Sequence, residues 1–320
     1  MKRTMVYRLS LLLISGLAPI GISGQSLSWS DDFELVEIRS AMDGALQKAY
    51  LYRSTSADPA PLIVSLHTWS GDFTQEDPLS GLCRSMNLNY IHPDFRGANN
   101  TIHACCSDLA IHDIDESITY AIENARVDPS RIYIIGQSGG GYATLAAFMK
   151  STHRIRKFSA WVPISDLVSW YRESLIMGNR YAEDILNCTG SKESILNLDV
   201  AREKSPIFWE TPAGKLDSSK LFIYTGIYDG IQGSVPITQS INFYNKVLTD
   251  LSVKDPSKFV SDHEKLQLLE FRERLGEFGK IGDREVFLKK EYQNLKLVIF
   301  QGNHEMLAEY ALNELLAETP

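Results

Sequence analysis

Ser138 is the residue with the strongest claim to chemistry. It sits in Gly136-Gln137-Ser138-Gly139-Gly140, after the β-branched run ending at Ile135 and before the helix-forming run Ala143 to Met149. A Gly-x-Ser-x-Gly pattern between a strand and a helix is the signature of a nucleophile elbow, a sharp turn that exposes a serine in a strained conformation. Serine is a weak nucleophile until a base accepts its proton. The chain offers seven histidines. In elbows of this kind the partners follow in the order serine, acid, histidine, with the histidine after the last strand. Only His304 fits, in Gly302-Asn303-His304-Glu305 after Val298-Ile299-Phe300. Asp229, after the strand-like Leu221 to Thr225, is the acid expected to hold the imidazole. Its rival is Asp166, which follows the strand ending near Val162. An oxyanion hole needs two converging amides. Gly139 supplies one, and the loop after Leu66 supplies the other, with Trp69 preferred over Thr68.

The elements that must position these residues alternate between strand and helix, which predicts a mostly parallel sheet with helices on both faces. Strands are expected at Phe33–Arg39, Leu46–Arg53, Pro61–Leu66, Asn89–His92, Arg131–Ile135, Phe158–Val162 and Lys220–Thr225, with a late hairpin from Arg284–Lys289 and Leu295–Phe300. Helical periodicity runs through Leu79–Met86 and from Asp108 to Ala125, where Asp128-Pro129 ends the element. Residues 256–276 read as a charged surface helix. Residues 166–215, rich in aromatics, are too long for an ordinary connection and predict an inserted cap.

Composition sets the boundaries. The 320 residues are 44 % hydrophobic and 22 % charged, which excludes disorder and a disulfide-packed miniprotein. The net charge of −8 speaks against a nucleic-acid surface, which needs a concentrated basic face. Lys2, Arg3 and Arg8 precede an apolar run from Leu9 to Ile22, followed by Ser23 and Gly24. This pattern predicts a signal peptide over 1–24 and a secreted or periplasmic single domain over 25–320, without a membrane anchor. Four cysteines in an exported chain suggest disulfides. Cys105 and Cys106 are adjacent and poorly placed to bond each other, so one of them is expected to reach Cys188, and the assignment goes to Cys105. No spacing suggests a metal site, and the chemistry requires no cofactor.

With these residues in place, the sequence resembles the α/β-hydrolase superfamily, and within it the catalytic domain of the prolyl oligopeptidase family. The shared residues are Pro93-Asp94-Phe95-Arg96-Gly97, Gly136 to Gly140, Asp229 and Gly302 to Glu305. The resemblance spans roughly residues 45–315 and implies an eight-stranded sheet and a Ser138–Asp229–His304 triad. Family peptidases carry an N-terminal propeller, which the short stretch ahead of residue 45 could not form. Trp161 to Leu167, Tyr181 to Ile185 and Gly233 to Pro236, with Ala104-Cys105, are similar to exported hydrolases found beside polysaccharide-degrading enzymes. That branch implies a carbohydrate esterase, pectin methylesterase-like or deacetylase, with a polysaccharide or oligosaccharide ester as partner. Arg172 could pair with a uronate carboxylate, an ordinary surface or structural ion pair being its plainer reading, and the cap aromatics, Trp170 among them, could stack on sugar rings or fill the cap core, the core being favoured for Trp161. The competing expectation is a prolyl oligopeptidase-like exopeptidase, for which Glu173, Glu183 or Asp184 could hold a substrate amine. A non-catalytic carbohydrate-binding protein on the same scaffold is the third.

Overall fold

The computed structural model describes residues 29–318. The predicted leader over residues 1–24 lies outside them. Among the described residues no helix is long and apolar enough to cross a membrane. The strands are β1 (Glu34–Arg39), β2 (Leu46–Tyr52), β3 (Ala60–Leu66), β4 (Asn89–Pro93), β5 (Val127–Gln137), β6 (Lys157–Trp161), β7 (Lys220–Gly226), β8 (Lys280–Ile281), β9 (Arg284–Tyr292) and β10 (Leu295–Phe300). They form one mixed sheet in the order β1-β2-β4-β3-β5-β6-β7-β10-β9-β8. The expected eight strands run from β1 to β10 in this order. β9, the first arm of the expected late hairpin, pairs antiparallel with β10, and the unexpected short β8 pairs antiparallel with β9, so the two extend the edge.

The helices are α1 (Pro78–Ser85), α2 (Asp108–Asn124), α3 (Gly139–Lys150), α4 (Leu167–Met177), α5 (Tyr181–Cys188), α6 (Leu198–Glu203), α7 (Lys215–Ser218), α8 (Ile237–Asp250), α9 (Asp262–Glu270) and α10 (Ala308–Leu316). The central parallel strands are buried on both faces, and their side chains alternate between two cores. Leu62, Val64, Ile132, Ile134, Leu221 and Ile223 face the core shared with α2, α3 and α8. Ile63, Tyr133, Ile135, Phe222 and Tyr224 face the core that includes Leu79 and Cys83 of α1 and Leu312 and Leu315 of α10. A period of two in side-chain direction makes this division automatic once helices cover both faces.

Two expectations are corrected. Asp128-Pro129 does not end an element before the strand. It lies inside β5, where the pairing with β3 shifts register between Ala60 and Leu62 and so accommodates a residue without an N–H. The charged helix is shorter than 256–276, confined to Asp262–Glu270 by a capping box of Ser261 and Glu264. Helices α8 and α10 were not expected, yet each packs an apolar face on the sheet: Ile237, Ile241, Tyr244, Val247 and Leu248 in the first, Ala311, Leu312 and Leu315 in the second.

Residues 166–215 form α4, α5 and α6 with their connections between β6 and β7. Asp166, the rival acid, caps the N-terminus of α4, its Oδ1 accepting the amides of Val168 and Ser169 at 2.9 and 3.1 Å. That is an N-cap role, with the carboxylate consumed by helix amides.

Candidate active site

Ser138 joins β5 to α3 with φ 58° and ψ −116°, in the positive-φ region that a non-glycine residue adopts only under constraint. The constraint is steric crowding of three backbones. A Cβ on Gly136 would fall 2.4 Å from the Gly140 carbonyl carbon and oxygen, and one on Gly140 would fall 2.1 Å from the Leu66 oxygen. Only glycine permits these approaches. The Ser138 amide donates to Trp161 O at 2.9 Å, so β6 holds the turn from its other side. The hydroxyl stands at the N-terminus of a twelve-residue helix, where unpaired amides and the helix dipole favour negative charge.

His304 and Asp229 come together from separate loops. The Nδ1 of His304 lies 2.7 Å from Asp229 Oδ2, with the Asp229 side chain fully buried and that of His304 partly exposed. The other carboxylate oxygen of Asp229 accepts the amides of Gly230 and Val235 at 2.9 and 3.0 Å. The acid is thereby fixed in place, and its contact with Nδ1 selects the tautomer that leaves Nε2 open to act as a base. Gln137, beside the serine, donates from Nε2 to His304 O at 3.1 Å and ties the histidine loop to the elbow. A side chain at Gly233 would collide with both Asp229 Oδ1 and His304 Cβ, so the acid loop closes tightly over the pair.

The oxyanion loop distinguishes Trp69 from Thr68. The Thr68 amide donates to Gln75 Oε1 at 3.0 Å and is occupied. The Trp69 amide has no protein acceptor among the described residues. A Cβ on Gly139 would lie 2.2 Å from Trp69 N, which puts the two backbones side by side. Trp69 is held at three points: its indole N–H donates to Asp184 Oδ2 at 3.1 Å, its carbonyl accepts the Asn99 amide at 2.8 Å, and its ring meets Trp170 edge-on at 4.7 Å. His67 braces the same loop. Its ring stacks on Phe95 at 3.9 Å, and its nitrogens lie 2.9 Å from Thr68 O and 2.7 Å from Asp94 O. Burial pushes its pKa down.

The structure does not bring the remaining expected site residues together in one place. Trp170 is buried, clamped between Trp69 and Tyr181, with its indole N–H on Ser234 O at 2.8 Å. It ties α4 to the acid loop and leaves no face for a sugar. Arg172 lies exposed on α4 and has no ion pair among the described residues. The cysteine assignment is corrected: all four are buried thiols. Cys105 and Cys188 face each other, but each is seated on a carbonyl, Cys105 Sγ on Asn99 O at 3.1 Å and Cys188 Sγ on Ile185 O at 3.6 Å. Gln137, Gln75 and Asp184 act on the site without having been singled out for those contacts. Gln137 and Asp184 work through one side-chain contact each and Gln75 through two to Thr68, and no local pattern announces that. Arg96 of the Pro93–Gly97 stretch is structural, its guanidinium bridging Asp113 and Asp43.

Comparison with known proteins places this geometry. Residues 82–252, just over half the chain, match the Peptidase_S9 family, described as the prolyl oligopeptidase family. Among solved structures, the acylaminoacyl peptidase of Pyrococcus horikoshii is similar at 19 % identity and a TM-score of 0.55, over 69 % of this chain and 35 % of that one. A puromycin-hydrolysing peptidase from Mycobacterium tuberculosis gives 17 % and 0.51, over 68 % and 34 %. Prolyl oligopeptidase B from Galerina marginata gives 18 % and 0.51, over 69 % and 32 %. This chain thus spans about a third of the length of each, and at these identities the likeness is one of fold. With an α/β-hydrolase sheet and a family match across its elbow, the chain belongs to the prolyl oligopeptidase family.

Proposed function

We propose that the chain cleaves acyl bonds through a covalent intermediate on Ser138, with amide bonds of short peptides as its leading substrates. The observation that carries the chemistry is the 2.7 Å pair of His304 and buried Asp229, tied through Gln137 to a strained elbow serine. In this reading Ser138 Oγ attacks the carbonyl carbon while His304 Nε2 takes its proton. The tetrahedral oxyanion rests on the Gly139 and Trp69 amides. His304 then hands the proton to the departing amine, the C–N bond breaks, and an acyl-Ser138 ester remains. Water, deprotonated by His304, attacks that ester, and the carboxylic acid leaves as Ser138 regains its proton.

The preference for amides is supported by the solved relatives, which are peptidases by description. A second reading, hydrolysis of carbohydrate esters outside the cell, is favoured by the resemblance of Trp161–Leu167 and Tyr181–Ile185 to exported polysaccharide-active hydrolases and by the basic leader over 1–24. Both readings use the same triad. Hydrolysis of prolyl and acyl-aminoacyl aryl amides should be measured beside methanol and acetate release from pectin and acetylated xylan. Amide turnover with no release from the glycans supports the peptidase reading, and the reverse pattern overturns it in favour of the esterase. Ser138→Ala should abolish whichever activity is found. Retained turnover in that variant would overturn the mechanism.

A further inference from the structure

The oxyanion loop carries a positive charge that the catalytic chemistry above does not use. Arg180 precedes α5, and its Nη2 donates to Ser70 Oγ at 2.6 Å. Ser70 follows Trp69 directly, so the guanidinium is anchored one residue, about 3.8 Å of chain, from the residue whose amide faces Gly139. Arg180 is exposed and lies within 4 Å of no carboxylate among the described residues. Asp184, one turn further along α5, feels the Arg180 charge but makes no ion pair with it, and its carboxylate is hydrogen-bonded by the Trp69 indole N–H at 3.1 Å. Glu183 is exposed. The guanidinium therefore keeps most of its five N–H donors open, on an acidic protein, against the loop that carries Trp69. Ring contacts steady the segment: Arg180 lies 5.9 Å from the Tyr181 ring, which stacks on Trp170 at 5.1 Å.

From this we infer that Arg180 is a specificity-determining residue that pairs with a carboxylate of the substrate close to the bond being cleaved. This rests on Ser138 being the nucleophile and holds for an acidic peptide or a uronate-bearing glycan alike, since both present the same charged group. It moves the anion-binding role expected of Arg172 to a position that touches the oxyanion loop. A planar fork anchored on the loop that carries Trp69 suits a carboxylate in bidentate contact and discriminates against a neutral isostere.

Two pairs of aryl esters test the inference. p-Nitrophenyl hemisuccinate against p-nitrophenyl butyrate puts the carboxylate on the acyl side, and 4-acetoxybenzoate against phenyl acetate puts it on the leaving-group side. The wild-type protein should favour the anionic member of at least one pair in kcat/KM. In Arg180→Ala that preference should shrink about tenfold or more, through KM, as loss of a charged hydrogen-bonded contact requires. Arg180→Glu should reverse it, and Arg180→Lys should retain part of it. The wild-type preference should also weaken as salt is raised. Unchanged ratios in both the alanine and the glutamate variants, or no anionic preference in the wild type for either pair, overturn the inference. Turnover of the neutral esters that disappears in Ser138→Ala leaves the underlying mechanism standing in that case. Turnover that survives Ser138→Ala refutes the mechanism itself.

Discussion

At the scale of single residues, the site depends on a carboxylate that touches no reacting atom. Asp229 fixes the His304 tautomer through one oxygen, while two backbone amides hold the other. Asp229→Asn preserves the shape but presents an N–H donor to Nδ1, which favours the opposite tautomer. Turnover in that variant should fall by about 10⁴-fold with the fold intact, and steady-state kinetics beside a thermal melt would check this. A loss of less than tenfold would mean that Asp229 is a bystander. The serine, the histidine and the acid could be named in the sequence because chain order and strand-end position restrict each to one or two candidates. Trp69 against Thr68 was decided by something the sequence does not contain, the occupation of the Thr68 amide by Gln75 seven residues away. Trp170 illustrates the opposite limit. An aromatic residue in a cap reads equally as binding surface or core until its 1 % exposure is known.

At the scale of elements, helices α4 and α5 are joined to the loops of the candidate site by a few specific contacts. Asp184 on α5 grips the Trp69 indole, and Trp170 on α4 reaches Ser234 in the acid loop. Displacing α5 should thus misplace the Trp69 amide, with a larger effect on kcat than on stability. Asp184→Ala is expected to reduce kcat about tenfold, because oxyanion donors work only when pre-aimed. A fall in melting temperature with kcat unchanged would refute the coupling. The same elements house the thiols. Burial raises the pKa of Cys83, Cys105 and Cys106, which disfavours the reactive thiolate. The purified protein should therefore show no thiol reactive with an aromatic disulfide reagent until denaturant is added, and then four. Two in denaturant would show that a disulfide had formed. Of the elements themselves, the central strands were legible from their continuous apolar runs. Helix α8 was equally written in the spacing of Ile237, Ile241, Tyr244 and Leu248, yet it follows so closely on the acid loop that its start signal, Pro236, reads as loop.

At the scale of the whole molecule, a mixed ten-stranded sheet brings Ser138, Asp229 and His304 from the ends of β5, β7 and β10 to one edge of the strands, a layout that alternation of strand and helix foretold. The extra edge strands were not foreseen in full, because a two-residue strand such as β8 has too short a pattern to read. The sheet also encloses titratable groups whose cost is shared by the entire fold. His92 on β4 is fully buried, with Nδ1 2.8 Å from Ser65 O, Asp77 at 3.8 Å and aromatic rings of Trp29, Tyr90 and His67 around it. Desolvation outweighs the nearby carboxylate and lowers its pKa from 6.5 to about 4. Between those two values the unfolded chain takes up a proton that the folded protein refuses. Folding stability contributed by this group is thus complete above pH 6.5 and declines as the pH falls toward 4, by at most about 1.4 kcal/mol per pH unit. His67, also depressed by burial, acts in the same direction. Carboxylates such as Asp113, which burial raises, act in the opposite one. The contribution of His92 is isolated by difference. Urea unfolding of the wild type and of His92→Gln at pH 7, 6, 5 and 4.5 should give a shallower decline for the variant, which has no proton to refuse. Parallel declines would show that His92 titrates alike in the folded and unfolded chains, and that the acid sensitivity of the fold lies elsewhere.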